Sequence, residues 1–217
     1  MATTSRSADA KRDPIVAANI REIALIQGHP DPNHSHFGHA LADAYLAGAH
    51  EAGHIVHRID VANLSFPWAR SRHDLERCAP PSDVENAQRI IGASDHIVMI
   101  YPVWNGTLPA RLKGFLEQVF RPAFTFLRFN PDQPLGVATA MRQAKRLTGK
   151  TARVVVTMQM PAFVYRWMFH PRPDVSPLRL AGVRPIRQTL IGLVEAPDRK
   201  ARDRWLRTMR QLGERAR

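Results

Sequence analysis

The chain has 217 residues, 44% of them hydrophobic, and carries 31 Lys and Arg against 19 Asp and Glu, a formal net charge of +12. This is the composition of an ordinary globular chain with a full core. The lone Cys78 excludes a disulfide framework, and no apolar run reaches the roughly 18–20 residues of a membrane-spanning helix.

The start, Met1 to Asp13, is polar and charged and lacks the apolar segment of a secretory leader, so residues 1–20 read as a flexible extension and 21–217 as a single domain. A reducing, cytoplasmic setting is expected. Five apolar runs then read as strands. Ile23–Ile26 is short and continuous, as in a strand buried on both faces. His54–Asp60 partly alternates and suits an edge. His96–Tyr101 and Ala152–Thr157 read as central strands, and Gln188–Val194 as the last.

Helical spacing separates these runs. Phe37, Leu41, Ala44 and Tyr45 share one face of a first helix; Val84, Ala87, Ile90 and Ile91 mark a second. Leu108, Leu112, Phe115, Leu116, Val119 and Phe120 mark a third, with Arg111, Lys113, Glu117 and Gln118 on its wet side and Thr107 as its expected N-cap. Pro197–Leu212 closes the chain. Two proline-rich stretches, Arg121–Lys150 and Pro161–Pro185, read as binding loops or partner surfaces. The alternation predicts an α/β fold, a five-stranded parallel sheet in order 2-1-3-4-5 with helices on both faces. Its switch point lies between strands 1 and 3, so ligand-binding turns should follow Ile26 and Tyr101.

The first of those turns is Gly28-His-Pro-Asp-Pro-Asn-His-Ser-His-Phe-Gly38. Ser35 is expected to cap the following helix, whose N-terminus is an anion site with a phosphate as natural guest. No Gly-x-Gly-x-x-Gly or Walker lysine occurs. His29, His34, His36 and His39 raise a metal reading, but no recognisable ligand spacing accompanies them, and no metal is expected. His50, His54 and His57 straddle Gly53, a helix stop by residue type, and are expected at the surface. The second turn, Tyr101-Pro-Val-Trp-Asn-Gly106, offers a ring, a small residue and backbone amides, which a flat aromatic cofactor with polar edges requires.

These two motifs together, the second continuing through Thr107-Leu-Pro-Ala-Arg-Leu-Lys-Gly114, resemble the flavodoxin-like NAD(P)H:quinone oxidoreductases, a family that includes the ancillary oxidoreductases of potassium-efflux systems. The resemblance runs from about Ile23 to Thr157. It implies that His29, Ser35, His36, Phe37 and Gly38 hold the flavin phosphate and ribityl chain, and that Pro102, Val103, Trp104, Asn105 and Gly106 line the isoalloxazine. Thr157, Met158, Gln159 and Met160 fall on the third flavin loop, where many relatives carry a Gly-Gly pair. Tyr165 and His170 fall where some relatives place catalytic residues, although packing is the favoured reading of Tyr165.

The implied cofactor is FMN, with FAD as the alternative and NADH or NADPH as donor. Two electrons would pass by a ping-pong route to a quinone-like acceptor. The resemblance also implies a homodimer. Phe124, Phe126, Leu127 and Phe129 suit either its interface or the chain's own core. The alternatives are a single-electron carrier, a regulatory flavoprotein subunit of a membrane transporter, and a non-flavin module on the same fold. Charge bears on the partners. Residues 1–108 carry 9 Lys and Arg against 12 Asp and Glu, and residues 109–217 carry 22 against 7. No nucleic-acid motif accompanies this excess, so no nucleic-acid partner is expected. A solvated basic face is favoured, with a peripheral membrane or transporter contact, or an anionic ligand, as other uses.

Overall fold

Strand residues of alternating direction divide the apolar set between two faces. The computed structural model describes residues 20–133, 136, 143–168, 175–195 and 198–217. Its strands are β1 (Glu22–Gln27), β2 (Ile55–Asp60), β3 (His96–Pro102), β4 (Thr151–Thr157) and β5 (Ile186–Ile191). They pair in parallel in the order β2-β1-β3-β4-β5. The helices are α1 (Phe37–Glu51), α2 (Arg72–Glu76), α3 (Ser82–Ala93), α4 (Ala110–Val119), α5 (Pro122–Thr125), α6 (Ala162–Met168), α7 (Ser176–Leu180) and α8 (Arg199–Glu214). Among the described residues, no helix is long and apolar enough to cross a membrane.

Ile23, Leu25, Val98, Ile100 and Val155 pack on one face against Leu41 and Tyr45 of α1 and Met209 of α8. Ala24, Ile26, Ile97, Met99 and Val154 pack on the other against Ile91 of α3 and Phe115 of α4. Each fully buried aliphatic side chain contributes about 1.5–3 kcal/mol, so the two cores together hold the sheet between its helices. Phe124 and Phe126 belong to the chain's own interior, at 9% and 2% exposure, whereas Leu127 is 54% exposed.

Several local expectations are corrected by tertiary contacts. Ser35 does not cap α1: His36 is the N-cap, without a side-chain bond, while the Ser35 amide donates to Asn33 Oδ1. Thr107 does not cap α4, whose N-cap is Pro109, because Thr107 pairs with Trp104 in a tight turn. Gln118 is not on a wet face. It is 1% exposed and donates to the Pro67 carbonyl at 2.7 Å while its amide oxygen accepts from Arg121. His54 is buried rather than at the surface. Its Nδ1 accepts from the Arg21 amide and its Nε2 donates to the Glu214 carbonyl, tying the start of β1 to the end of α8.

His96 opens β3 at 2% exposure. Burial, then the charges of Arg21, Arg153 and Arg187, lower its pKa from 6.5 to about 3. The native state therefore keeps this ring neutral where the unfolded chain binds a proton. Its contribution to stability is complete above pH 6.5 and is lost as pH falls toward 3, by up to about 1.4 kcal/mol per unit. Urea unfolding at pH 7 and pH 5 should show His96→Gln less sensitive to acid than the parent chain. An equal loss in both would remove His96 as the cause.

Candidate functional site

The carboxyl ends of β1, β3 and β4 deliver three loops to one cleft of about 1080 Å³. After β1 come His29, Asp31 and the run Ser35, His36, Phe37 and Gly38. After β3 come Pro102 through Gly106, and after β4 come Thr157 through Met160. All fourteen residues expected at a cofactor line it. Val194, Glu195 and Arg202 complete the wall from the β5 side.

The β3 loop is shaped by its own sequence. Asn105 and Gly106 both have positive φ, 48° and 83°. That pair is what a two-residue primed turn demands, and Asn-Gly tolerates it with least strain. Trp104 and Thr107 exchange backbone hydrogen bonds of 2.8 and 3.0 Å across it. The Val103 amide donates to the Thr157 carbonyl at 2.7 Å, fastening the turn to the β4 loop. Among the described residues, the Asn105 and Gly106 amides have no hydrogen-bond partner, and Trp104 is half exposed beside them. The turn presents a ring face and donors to the cleft.

The β1 loop is an ordered polar cage. The His29 amide donates to Gln27 Oε1, and His29 Nδ1 lies 3.1 Å from both the amide and the carbonyl oxygen of Asp31. Burial, then neighbouring His36, lowers the His29 pKa. His36 Nε2 lies 2.8 Å from Asp31 Oδ2, and this hydrogen bond lowers the Asp31 pKa. His29 and His36 stack at 4.0 Å. His39 donates through Nε2 to the Asp31 carbonyl, and its Nδ1 accepts from Arg58. These bonds engage the histidines with Asp31 and Arg58 and hold the loop against the first turn of α1. The Phe37 and Gly38 amides there precede the intrahelical bonding pattern, and a helix N-terminus of this kind attracts an anion. Arg202 lies over the Phe37 ring at 4.7 Å and adds a formal positive charge to that end of the cleft.

Among the described residues, one group has donor atoms close enough for a metal: His73, Asp74 and Cys78. It lies outside the cleft. The Asp74 carboxylate accepts from the Arg70 and Ser71 amides and caps α2, so its place there has a structural explanation.

Tyr165 does not line the cleft. It is 4% exposed, and its hydroxyl donates to the Gly106 carbonyl at 3.4 Å, behind the turn. Burial raises its pKa. His170 lies outside the described residues. The sequence reading missed Asp31, Val194, Glu195 and Arg202. Asp31 sits inside the singled-out loop, but nothing local separates Arg202 from the other arginines of 199–207.

The profile of the flavodoxin-like fold family matches residues 21–212. The chain belongs to this family. Among its relatives, an uncharacterized NAD(P)H oxidoreductase of Haemophilus influenzae is 30% identical over 111 residues, 50% of this chain and 54% of that protein. The FMN-dependent NADH:quinone oxidoreductase 2 of Pseudomonas putida is 34% identical over 86 residues, 37% of this chain and 41% of that one. The chain thus spans about half the length of the curated relatives it matches, or less. The NAD(P)H:quinone oxidoreductase of Methanothermobacter marburgensis has the same fold, with a TM-score of 0.68 at 20% identity over 90% of this chain and 95% of that one. Flavodoxin-like members share the switch point between strands 1 and 3, where this cleft lies.

Proposed function

We propose that this chain is an FMN-dependent NAD(P)H oxidoreductase that reduces a quinone-like acceptor. The observation that carries the reading is the cleft itself: an anion-binding helix end with Arg202 at one side, and a Trp104-Asn105-Gly106 turn with an exposed ring and free amides at the other. That donor set fits a flavin mononucleotide, charged at one end and flat, aromatic and polar-edged at the other. The names of the Haemophilus and Pseudomonas relatives support the same chemistry, and the second supports FMN and NADH.

In this reading a bound flavin supplies two-electron exchange between a nicotinamide donor and the acceptor. The protein's own groups bind and orient. The Phe37 and Gly38 amides, Ser35 and Arg202 hold the phosphate. Burial favours the neutral His29 ring, which lines this end of the cleft without adding charge. Trp104, Met158 and Met160 exclude water from the ring faces, and the Asn105 and Gly106 amides stabilise negative charge that develops at the ring edge. Tyr165 is a positioning residue, since its hydroxyl holds the Gly106 carbonyl from behind. One ring-stacking position makes donor and acceptor alternate, which gives ping-pong kinetics.

Phe163, Trp167 and Met168 stand 74%, 81% and 57% exposed on α6, close to the cleft in sequence and topology. We infer that a second copy of the chain covers them in a two-fold dimer. The expected result with purified protein is one FMN per chain, bleaching of the 450 nm-region absorbance by NADH or NADPH, and recovery on adding a small benzoquinone. Double-reciprocal plots should be parallel, and sedimentation should give a dimer. A chain that takes up no flavin ends the reading; flavin uptake without nicotinamide reduction favours the electron-carrier alternative, and a monomer at micromolar concentration removes the dimer.

A further inference from the structure

The short helix α2 gathers a thiol, an imidazole and a carboxylate on the surface outside the cleft. The helix ends at Glu76, and the Arg77 and Cys78 amides both donate back to the His73 carbonyl, at 2.9 and 3.3 Å. This return of the chain brings Cys78 Sγ to 3.5 Å from His73 Nδ1. Asp74 follows His73 on the same turn, and donor atoms of His73, Asp74 and Cys78 all lie within 4.8 Å of one another. No familiar ligand spacing announces the set, because a chain reversal assembles it and not a helical or strand period.

The geometry suits a thiophilic ion. Zinc takes sulfur at about 2.3 Å and imidazole nitrogen at about 2.0–2.1 Å, and tetrahedral angles then hold S and N about 3.5 Å apart. Sγ and Nδ1 already stand at that separation. A carboxylate oxygen needs nearly the same spacing from both, which leaves Asp74 little more than about 1 Å to close. The supports are in place. The Arg70 and Ser71 amides orient the Asp74 carboxylate while using two of its roughly four acceptor sites. Arg121, 5% exposed, fixes the Cys78 backbone by donating to its carbonyl at 2.8 Å. Arg72 and Arg77, which flank the set, are engaged by Glu76 and Asp132. His73 and Cys78 are exposed, and a pocket of about 330 Å³ opens beside His73 between those two pairs, so an ion and its water reach the donors. One thiolate and one carboxylate match the charge of a divalent ion, so the occupied site is neutral.

We propose that His73, Asp74 and Cys78 bind one zinc ion, tetrahedral with water in the fourth position, the Cys78 proton passing to solvent on binding. The ion ties the end of α2 to the segment that leads into α3. The site is separate from the flavin cleft and does not rest on the flavin reading.

Cys78 is the single cysteine of the chain, so alkylation by iodoacetamide, read by mass spectrometry of the flavin-loaded full chain, reports on this site alone. Zinc chloride should slow that alkylation by about tenfold or more, since a metal-bound thiolate is a poor nucleophile. Magnesium chloride should not, because a hard cation does not take a thiolate. Excess EDTA should restore the rate. His73→Gln and Asp74→Asn, the second of which keeps a side-chain oxygen for the cap, should each weaken the protecting affinity for zinc about tenfold or more, as loss of a ligand does. Competition with a chromophoric chelator should give one fewer zinc per chain in Cys78→Ser than in the parent. No protection at micromolar zinc overturns the proposal. So does protection that survives either His73→Gln or Asp74→Asn, which would mean that the thiol binds the ion alone, and so does an equal zinc content in Cys78→Ser. The readout is the thiol itself, so the result stands whether or not the chain holds flavin.

Discussion

Gly213→Val is expected to destabilise the protein by about 3 kcal/mol, the upper part of the range for overpacked interiors. The cause is helix–helix approach. A Cβ at Gly213 of α8 would lie 2.0 Å from the Tyr45 carbonyl oxygen of α1, and one at Gly48 of α1 would lie 2.0 Å from the Arg210 carbonyl oxygen of α8. Both obstacles are backbone, so neither can swing aside; the helices must separate. Separation would strip cover from Leu41, Tyr45 and Met209, the layer over Ile23, Leu25 and Val98. Gly48→Val should behave alike. The control is Arg204→Ala on the exposed side of α8, where about 0.5 kcal/mol or less is expected. Urea midpoints for the three variants are the measurement. A Gly213→Val midpoint matching the control would mean that the helices do not pack this closely.

The second large effect concerns the cofactor. Arg202→Glu should weaken FMN binding about 100-fold, because it removes a charge-assisted contact and replaces it by repulsion. Ser35→Glu, on the loop that leads into α1, should act in the same direction. Riboflavin supplies the discriminating comparison, since it keeps the ring and ribityl chain and lacks the phosphate. Its affinity should change little in either variant, while Gly106→Val, which strains a φ of 83° beside the exposed Trp104 ring, should weaken FMN and riboflavin together. Fluorescence titration of the apoprotein with both ligands measures this. Equal weakening of FMN and riboflavin by Arg202→Glu would move the phosphate away from α1.

Much of the architecture was legible before any coordinates. The apolar runs at Ile23, His96 and Ala152 fall on β1, β3 and β4, and the helical spacing from Leu112 to Val119 falls on α4. These signals are local: a strand or helix buried on a given face must repeat its apolar residues at that element's period. The two motif-bearing turns were legible for a related reason. Parallel strands put their carboxyl ends at one edge, so the loops after β1 and β3 meet there. Asn105-Gly106 announces its turn because few residue pairs accept two positive φ angles.

What the sequence left open is long-range. Ser35 and Thr107 carry the right oxygens for capping, yet Asn33 and Trp104 hold their backbones outside the cap position. His54 and Gln118 look polar enough for water and are instead buried, because Glu214 and Pro67, distant in the chain, offer them acceptors. Arg202 faces the cleft while similar arginines around it face solvent, a difference set by how α8 docks on α1. Gly48 and Gly213 show the same dependence from both sides of that contact. Periodicity by itself determined which residues turn inward and where the ligand-bearing turns lie. Only the docking of distant elements decided which polar groups find partners, since a hydrogen bond or a charge contact needs both atoms brought within about 3–4 Å, and residue spacing along the chain carries no such distance.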